Sequence, residues 1–443
     1  MQRFDPALFA IAFLFLVNGL VFGAWATNIP YIKADFGLGE AEVGAVLLAV
    51  ALGAVVFMTL CGLATRHFGS RGLSMISALL FAAALPLAFL AASLPALYAA
   101  AVLLGAGTGA MDVTMNQQAS LLEQQRGRAV MSGLHGGFSV GAFGGALLAY
   151  GSGLAGLSPL AEALWLLAGI AAASLLLFPH LLADHPEPVQ VQDGQRRGGL
   201  FGHAALWALG ILSFLTMMSE GGIADWSTLY VLEYSDAPAA QAPLGFAAYS
   251  ALMITARLTG DRMVMRLGAR AVVLLSGGLV ALGMGLALSS GAFSVQLAGL
   301  AVTGFGIANL IPVIFSDAAR LPGLPKGAGI TFVSVAGYSG FLIGPVLISG
   351  AAEVWGLNRA LLVIVAVGLV LAAAAHRFPS PASAGGGESR ARLSIQRGPD
   401  LAPGHMQREQ PQRAAVFGQI SQLLHPLRGA VLIEVLAPAE NLA

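Results

Sequence analysis

Asp112 and Asn116 stand four residues apart in an apolar stretch, GAGTGAMDVTMNQQAS, so on a helix they share a face. A carboxylate in such surroundings must pair, take up a proton or face water. One that takes up a proton can couple its charge to a proton gradient. Glu220 is a second such carboxylate, and Gly221 and Gly222 after it would permit the locally unwound backbone that builds sites inside membranes. His135 would share a proton with Asp112 if it came within reach; the ordinary alternative is a neutral buried imidazole. Asp112, Glu220 and His135 are therefore the candidates for proton coupling. Asn18, Asn28, Asn116, Asn309, Asp225 and Tyr338 could hydrogen-bond a polar solute, and Trp25 and Trp226 could stack on its apolar or sugar face. For Asn18 and Asn309 a second reading stands, as glue between helices. Asp225 lies nearer the end of its stretch, where simple solvation competes with a role in binding.

The elements that must carry these residues follow from composition. The chain has 443 residues, 57% hydrophobic and only 10% charged, with a mean hydropathy of +0.79. A soluble fold cannot hide that much apolar surface, so a polytopic membrane protein in the lipid bilayer is expected. Twenty-two Lys and Arg balance 22 Asp and Glu, which excludes a basic surface for nucleic acid. The single Cys61 excludes an internal disulfide and a thiolate-clustered metal site. No HExxH or GxxxxGK[ST] pattern is present, so neither metalloenzyme chemistry nor ATP is implied, and no metal or cofactor is expected.

Cutting the chain at its short polar breaks gives twelve apolar spans: 8–30, 41–64, 72–93, 96–118, 130–152, 160–182, 204–232, 243–259, 271–290, 293–318, 329–352 and 358–377. With the N-terminus inside, 20 Lys and Arg fall on the cytoplasmic side, Arg257 among them, and two, Lys33 and Arg359, outside. Seven acids, including Glu40, Glu162, Glu233 and Glu353, fall outside. Both termini are therefore expected in the cytoplasm. The polar stretch 183–203 divides the spans six and six: residues 1–182 form the N-terminal half, 204–377 the C-terminal half, and 378–443 a cytoplasmic tail of disordered composition. An ungapped offset of 199 pairs Gly69 with Gly268, Arg71 with Arg270, Gly105 with Gly304, Gly107 with Gly306, and Gly141 with Gly340. The expected fold is all-α, two pseudo-symmetric six-helix halves. Mid-span polar residues concentrate in spans 1, 4, 7 and 10, equivalent positions that would line a central cavity. Gly133, Gly137, Gly141 and Gly145 in span 5 and Gly340 and Gly344 in span 11 would let a neighbouring helix approach closely.

These features resemble the major facilitator superfamily over residues 8–377. The loop GLATRHFGSR, Gly62 to Arg71, is similar to its GxLADRxGRK signature, with Arg66 where an aspartate is usual. The copy ARLTGDRMVMRLGAR keeps Asp261, Arg262, Arg266 and Arg270. The resemblance implies a cytoplasmic charge clamp made by Arg66, Arg71, Asp261, Arg262, Arg266 and Arg270. Span 4 resembles the fucose:proton symporter branch and its uncharacterised bacterial inner-membrane relatives, which maps the proton-coupling carboxylate onto Asp112. The acid that branch carries near the end of span 1 is missing from AWATNIP. The Gly-Pro antiporter motif of span 5 is also missing, which favours symport. The implied protein is a monomeric, multi-pass inner-membrane permease that moves a small polar solute by alternating access, coupled to protons. Proton-driven efflux of small or amphipathic compounds, and a non-transporting sensor or scaffold, are the alternatives.

Overall fold

The computed structural model of the chain describes residues 5–127, 130–184, 203–322, 324 and 328–378. The tail after 378 and all but the ends of the 183–203 linker lie outside them. The described residues are helical, with no strand among them: α1 (Pro6–Phe36), α2 (Glu40–Phe68), α3 (Ser70–Phe89), α4 (Leu94–Arg126), α5 (Met131–Leu154), α6 (Pro159–Leu177), α7 (Ala204–Tyr234), α8 (Leu244–Leu267), α9 (Ala269–Leu288), α10 (Phe293–Ala319), α11 (Ala328–Trp355) and α12 (Leu357–Arg377). Each falls on one of the twelve expected spans. Among the described residues, ten are long and apolar enough to cross a membrane. The other two are α5, diluted by glycine, and α8, which carries Arg257, Asp261, Arg262 and Arg266.

Local chemistry sets the ends. Asp5 caps α1 by accepting from the N–H groups of Ala7 (3.0 Å) and Leu8 (3.2 Å), and Pro6 sits in the first turn, where its missing N–H costs nothing. Gly37 closes α1 in the left-handed conformation, φ 62°. The apolar side chains Leu52, Val56, Leu60 and Leu63 form an exposed stripe along α2, as a lipid-facing helix requires.

The two halves repeat in space as well as in sequence. A Cβ on Gly105 would stand 1.9 Å from the Val50 carbonyl, and one on Gly304 would stand 2.1 Å from that of Tyr249. Gly107 abuts Phe81 as Gly306 abuts Val280. Val50 with Tyr249, and Phe81 with Val280, keep the 199-residue offset. Gly141 packs on the Leu16 carbonyl of α1, and Gly340 on the Phe214 carbonyl of α7 (2.1 and 2.3 Å from a built Cβ), so the small-residue faces of α5 and α11 serve close packing.

Three expectations change. First, α7 runs unbroken through Gly221 and Gly222. A Cβ at these positions would meet the Phe341 ring and Ile348 of α11 at 2.5 and 2.4 Å, so the glycines admit a neighbouring helix instead of unwinding their own. Second, α8 continues to Leu267, two turns past the expected end, so Arg257, counted with the cytoplasmic charges at the edge of its span, stands well inside the helix. Third, Glu162, one of the seven acids on the outer side, is not solvated but buried in the first turn of α6, where Asn28 approaches it at 3.4 Å.

The halves meet at the end of the bundle that carries Glu40, Glu233 and Glu353. Lys33 of α1 lies 2.5 Å from both Glu40 and Glu233 of α7, and the Ala41 N–H donates to Glu353 of α11 at 3.2 Å. A Cβ on Gly44 would stand 1.9 Å from the Ser349 hydroxyl, so α2 and α11 are in close contact there. At the opposite end Arg126 pairs with Asp5 within the N-terminal half. There, too, Asp184 accepts from the Ser70 N–H at 2.7–2.8 Å and from Gln117 at 2.9 Å. A carboxylate from beyond α6 thus caps α3, close to the loop in which Arg66 replaces the usual aspartate.

Candidate functional site

Between the halves lies a cavity of about 350 Å³, lined by α1, α2, α4 and α5 on one side and α7, α8 and α11 on the other. Its wall is mostly apolar, with aromatic rings (Phe22, Trp25, Phe138, Phe246) and methionines interrupted by a few polar groups.

Asp112 is the hub of the first polar group. Asn116, one turn along α4, donates its amide to Asp112 Oδ1 at 3.2 Å and to the Asp112 carbonyl at 2.7 Å. That leaves the Asn116 oxygen as an acceptor for His135 Nε2, 3.1 Å away. The chain of donors therefore runs His135 to Asn116 to Asp112, with the His135 proton on Nε2. From the other half, Tyr338 of α11 donates its hydroxyl to Asp112 Oδ2 at 3.4 Å. The contacts of Asp112 are thus neutral donors, one of them across the inter-half gap.

The second group centres on Arg257. It donates to Glu220 Oε1 at 3.0 Å, within its own half, and to the Ser139 hydroxyl of α5 at 2.7 Å, across the gap. Asp225, one and a half turns after Glu220, also lines the cavity, and among the described residues it accepts no hydrogen bond. Asn18 accepts from Thr108 at 3.0 Å and touches the Met115 sulfur at 3.5 Å, so it joins α1 to α4 while facing the cavity.

Of the residues singled out in the sequence, Asp112, Glu220, His135, Asn18, Trp25, Asp225 and Tyr338 share this wall. Asn116 stands just behind it. Three others are elsewhere. Asn28 bonds the Ala24 carbonyl (2.8 Å) and Glu162; Trp226 is fully buried; and Asn309, at the break in α10, donates to the Ala256 carbonyl of α8 at 3.2 Å. In the loops, Arg71 lies over the Phe178 ring, 4.8 Å to its centroid, and bonds the Phe178 and Pro179 carbonyls. Arg66, Asp261, Arg262, Arg266 and Arg270 are exposed. The site residues not anticipated are Arg257, Ser139, Thr108 and Tyr249. Arg257 had a signal, since its span was the shortest of the twelve and ended two residues beyond it.

The family model described as Major Facilitator Superfamily matches residues 11–260. The chain is 44% identical over 373 residues to membrane protein MosC of Rhizobium meliloti, covering 83% of this chain and 89% of that protein. It is 33% identical over 370 residues to an uncharacterised MFS-type transporter of Yersinia pestis, covering 82% and 93%. Among solved structures it resembles the nucleoside transporter NupG (TM-score 0.67, 16% identity, 84% of this chain and 99% of that one). It also resembles a D-xylose-proton symporter (TM-score 0.64, 16% identity, 84% and 98%).

Proposed function

Given that the chain belongs to the Major Facilitator Superfamily, we propose that it is a proton-coupled secondary transporter in which Asp112 carries the coupling proton. The observation that carries this reading is the position of Asp112, on the cavity wall and bonded across the gap to Tyr338. An ionised Asp112 attracts the Tyr338 hydroxyl of the opposite half across 3.4 Å, and protonation removes the charge behind that attraction. The same proton removes a charge that would oppose closing the cavity over dehydrated surface. Proton binding therefore acts on the contact between the halves as well as on the site. Asn116 and His135 position the carboxylate, and Glu220 is held by Arg257.

The protein is a multi-pass membrane protein. From the Lys and Arg distribution we read the end carrying Lys33, Glu233 and Glu353 as periplasmic and the linker and both termini as cytoplasmic; an inner-membrane monomer completes the reading. The contacts at that end then describe a state closed to the periplasm. The two membrane halves are residues 1–182 and 204–377. Symport is the favoured direction of coupling. The mainly apolar wall suits a small solute that offers an apolar face beside its polar groups.

The test is ligand-induced thermal stabilisation of the purified protein across a small-metabolite library at two pH values. A solute that stabilises the wild type in a pH-dependent manner, with the pH dependence lost in Asp112→Asn, supports the reading. Stabilisation with the same pH dependence in both proteins contradicts it.

A further inference from the structure

Resting on the reading of the cavity as the transport site, we propose that its solute is a monovalent organic cation with an apolar or aromatic body, and that Asp225 receives the positive charge. The charged groups on the wall are three carboxylates (Asp112, Glu220 and Asp225) and one guanidinium, Arg257, with His135, Tyr249 and Tyr338 as the other titratable groups. Arg257 is engaged by Glu220 at 3.0 Å and Ser139 at 2.7 Å. Asp112 is engaged by Asn116 and Tyr338 and takes the proton. Asp225 alone of the three carboxylates has no described hydrogen-bond or ion-pair partner.

A negative charge without a counter-ion is costly once the cavity closes, so a transport cycle needs a second neutralising charge besides the proton. A cationic solute supplies it, and an anionic one would add to the surplus. The rest of the wall agrees. Tyr249 lines the cavity, is only 2% exposed, and its hydroxyl is buried without a hydrogen-bond partner. Its hydroxyl is therefore available to a polar group of the solute. Tyr249 and Trp25 also present aromatic rings, which attract ammonium groups. Phe22, Phe246, Met58, Met217 and Met253 suit an adaptable apolar body and would leave the hydroxyls of a polyhydroxylated solute unpaired. With Asp112 protonated and Asp225 paired to the cation, the loaded cavity carries no net charge, provided His135 is neutral.

The experiment measures binding of radiolabelled phenethylammonium and benzyltrimethylammonium to the full-length protein in lipid nanodiscs, with benzyl alcohol and benzoate as competitors. At least one cation should bind saturably, and neither benzyl alcohol nor benzoate should displace it. Asp225→Asn should weaken that binding by about tenfold or more, and Asp225→Glu by about threefold or less. Thermal midpoints report whether each variant is folded; if Asp225→Asn is not, Asp225→Glu and the wild-type competition decide the matter. The inference is overturned if neither cation binds, if benzyl alcohol competes equally, or if folded Asp225→Asn binds with wild-type affinity. Loss of proton coupling through Asp112 would sink the transport reading alone, whereas absent cation binding beside intact proton-driven uptake of another solute would sink this inference alone.

Discussion

Arg257 on α8 donates to Glu220 on α7 at 3.0 Å, so a residue at the cytoplasmic edge of its expected span supplies the counter-charge for a carboxylate in the cavity. The two side chains are about a quarter exposed, at 26% and 21%, which places the pair between a surface and a buried salt bridge. Arg257→Met, which strands the Glu220 charge, should destabilise the protein by about 1–3 kcal/mol. Adding Glu220→Gln should recover most of the loss. Thermal unfolding in detergent checks both, and a single variant that melts like the wild type would show that the pair contributes nothing.

Charge also joins the halves at Lys33, through Glu233 at 2.5 Å. Lys33→Met should favour the state open at that end by about 1 kcal/mol, a severalfold change in population. Cys61 is the single cysteine, so a Cys61→Ala background with Leu47→Cys gives a clean reporter on the cavity wall. Its labelling by an impermeant maleimide added from the Lys33 side should speed up severalfold in Lys33→Met. An unchanged rate would mean that the α2–α11 contact at Gly44 and Ser349 holds that end closed without Lys33.

Asp184 caps α3 from outside the helix, and a built Cβ on Gly69 would stand 2.7 Å from its carboxylate, so the loop needs glycine there for space as well as for its φ of 70°. Asp184→Ala should cost about 1 kcal/mol through the lost cap. The expected readout is a lower melting point with ligand affinity unaltered. A large loss of affinity would show that Asp184 communicates with the cavity.

Much of this arrangement was legible in the sequence, because lipid imposes a length and a polarity on each span. The offset that pairs Gly105 with Gly304 reappears as matching contacts with Val50 and Tyr249, since a glycine that admits a neighbouring backbone is needed at both equivalent positions. Asp112, Glu220 and Asp225 stood out because a carboxylate in an apolar run is rare. Arg257 did not, because a charge two residues from the end of a span reads as marking the cytoplasmic boundary until the helix is seen to continue. Asn28, Trp226 and Asn309 share the polarity of site residues, and polarity does not reveal which way a side chain faces. Asp184 escaped notice because its partner, the α3 N-terminus, lies 114 residues earlier.

The orientation has its own test. Reporter fusions after residue 236 should read as periplasmic, and fusions after 195 or 385 as cytoplasmic, following the 20-to-2 distribution of Lys and Arg. A periplasmic reading at 385 would overturn the assignment of the closed end.

The central claim is that Asp112 couples proton and solute. It is tested most directly by uptake into proteoliposomes, with a solute identified by thermal stabilisation and an imposed inward proton gradient. The wild type should accumulate the solute above its outside concentration. Asp112→Asn, a mimic of the permanently protonated form, should bind and exchange the solute but not concentrate it, and Glu220→Gln should be far less impaired in accumulation. Accumulation by Asp112→Asn to the wild-type level would contradict the account and leave Asp112 as a contact between α4 and α11.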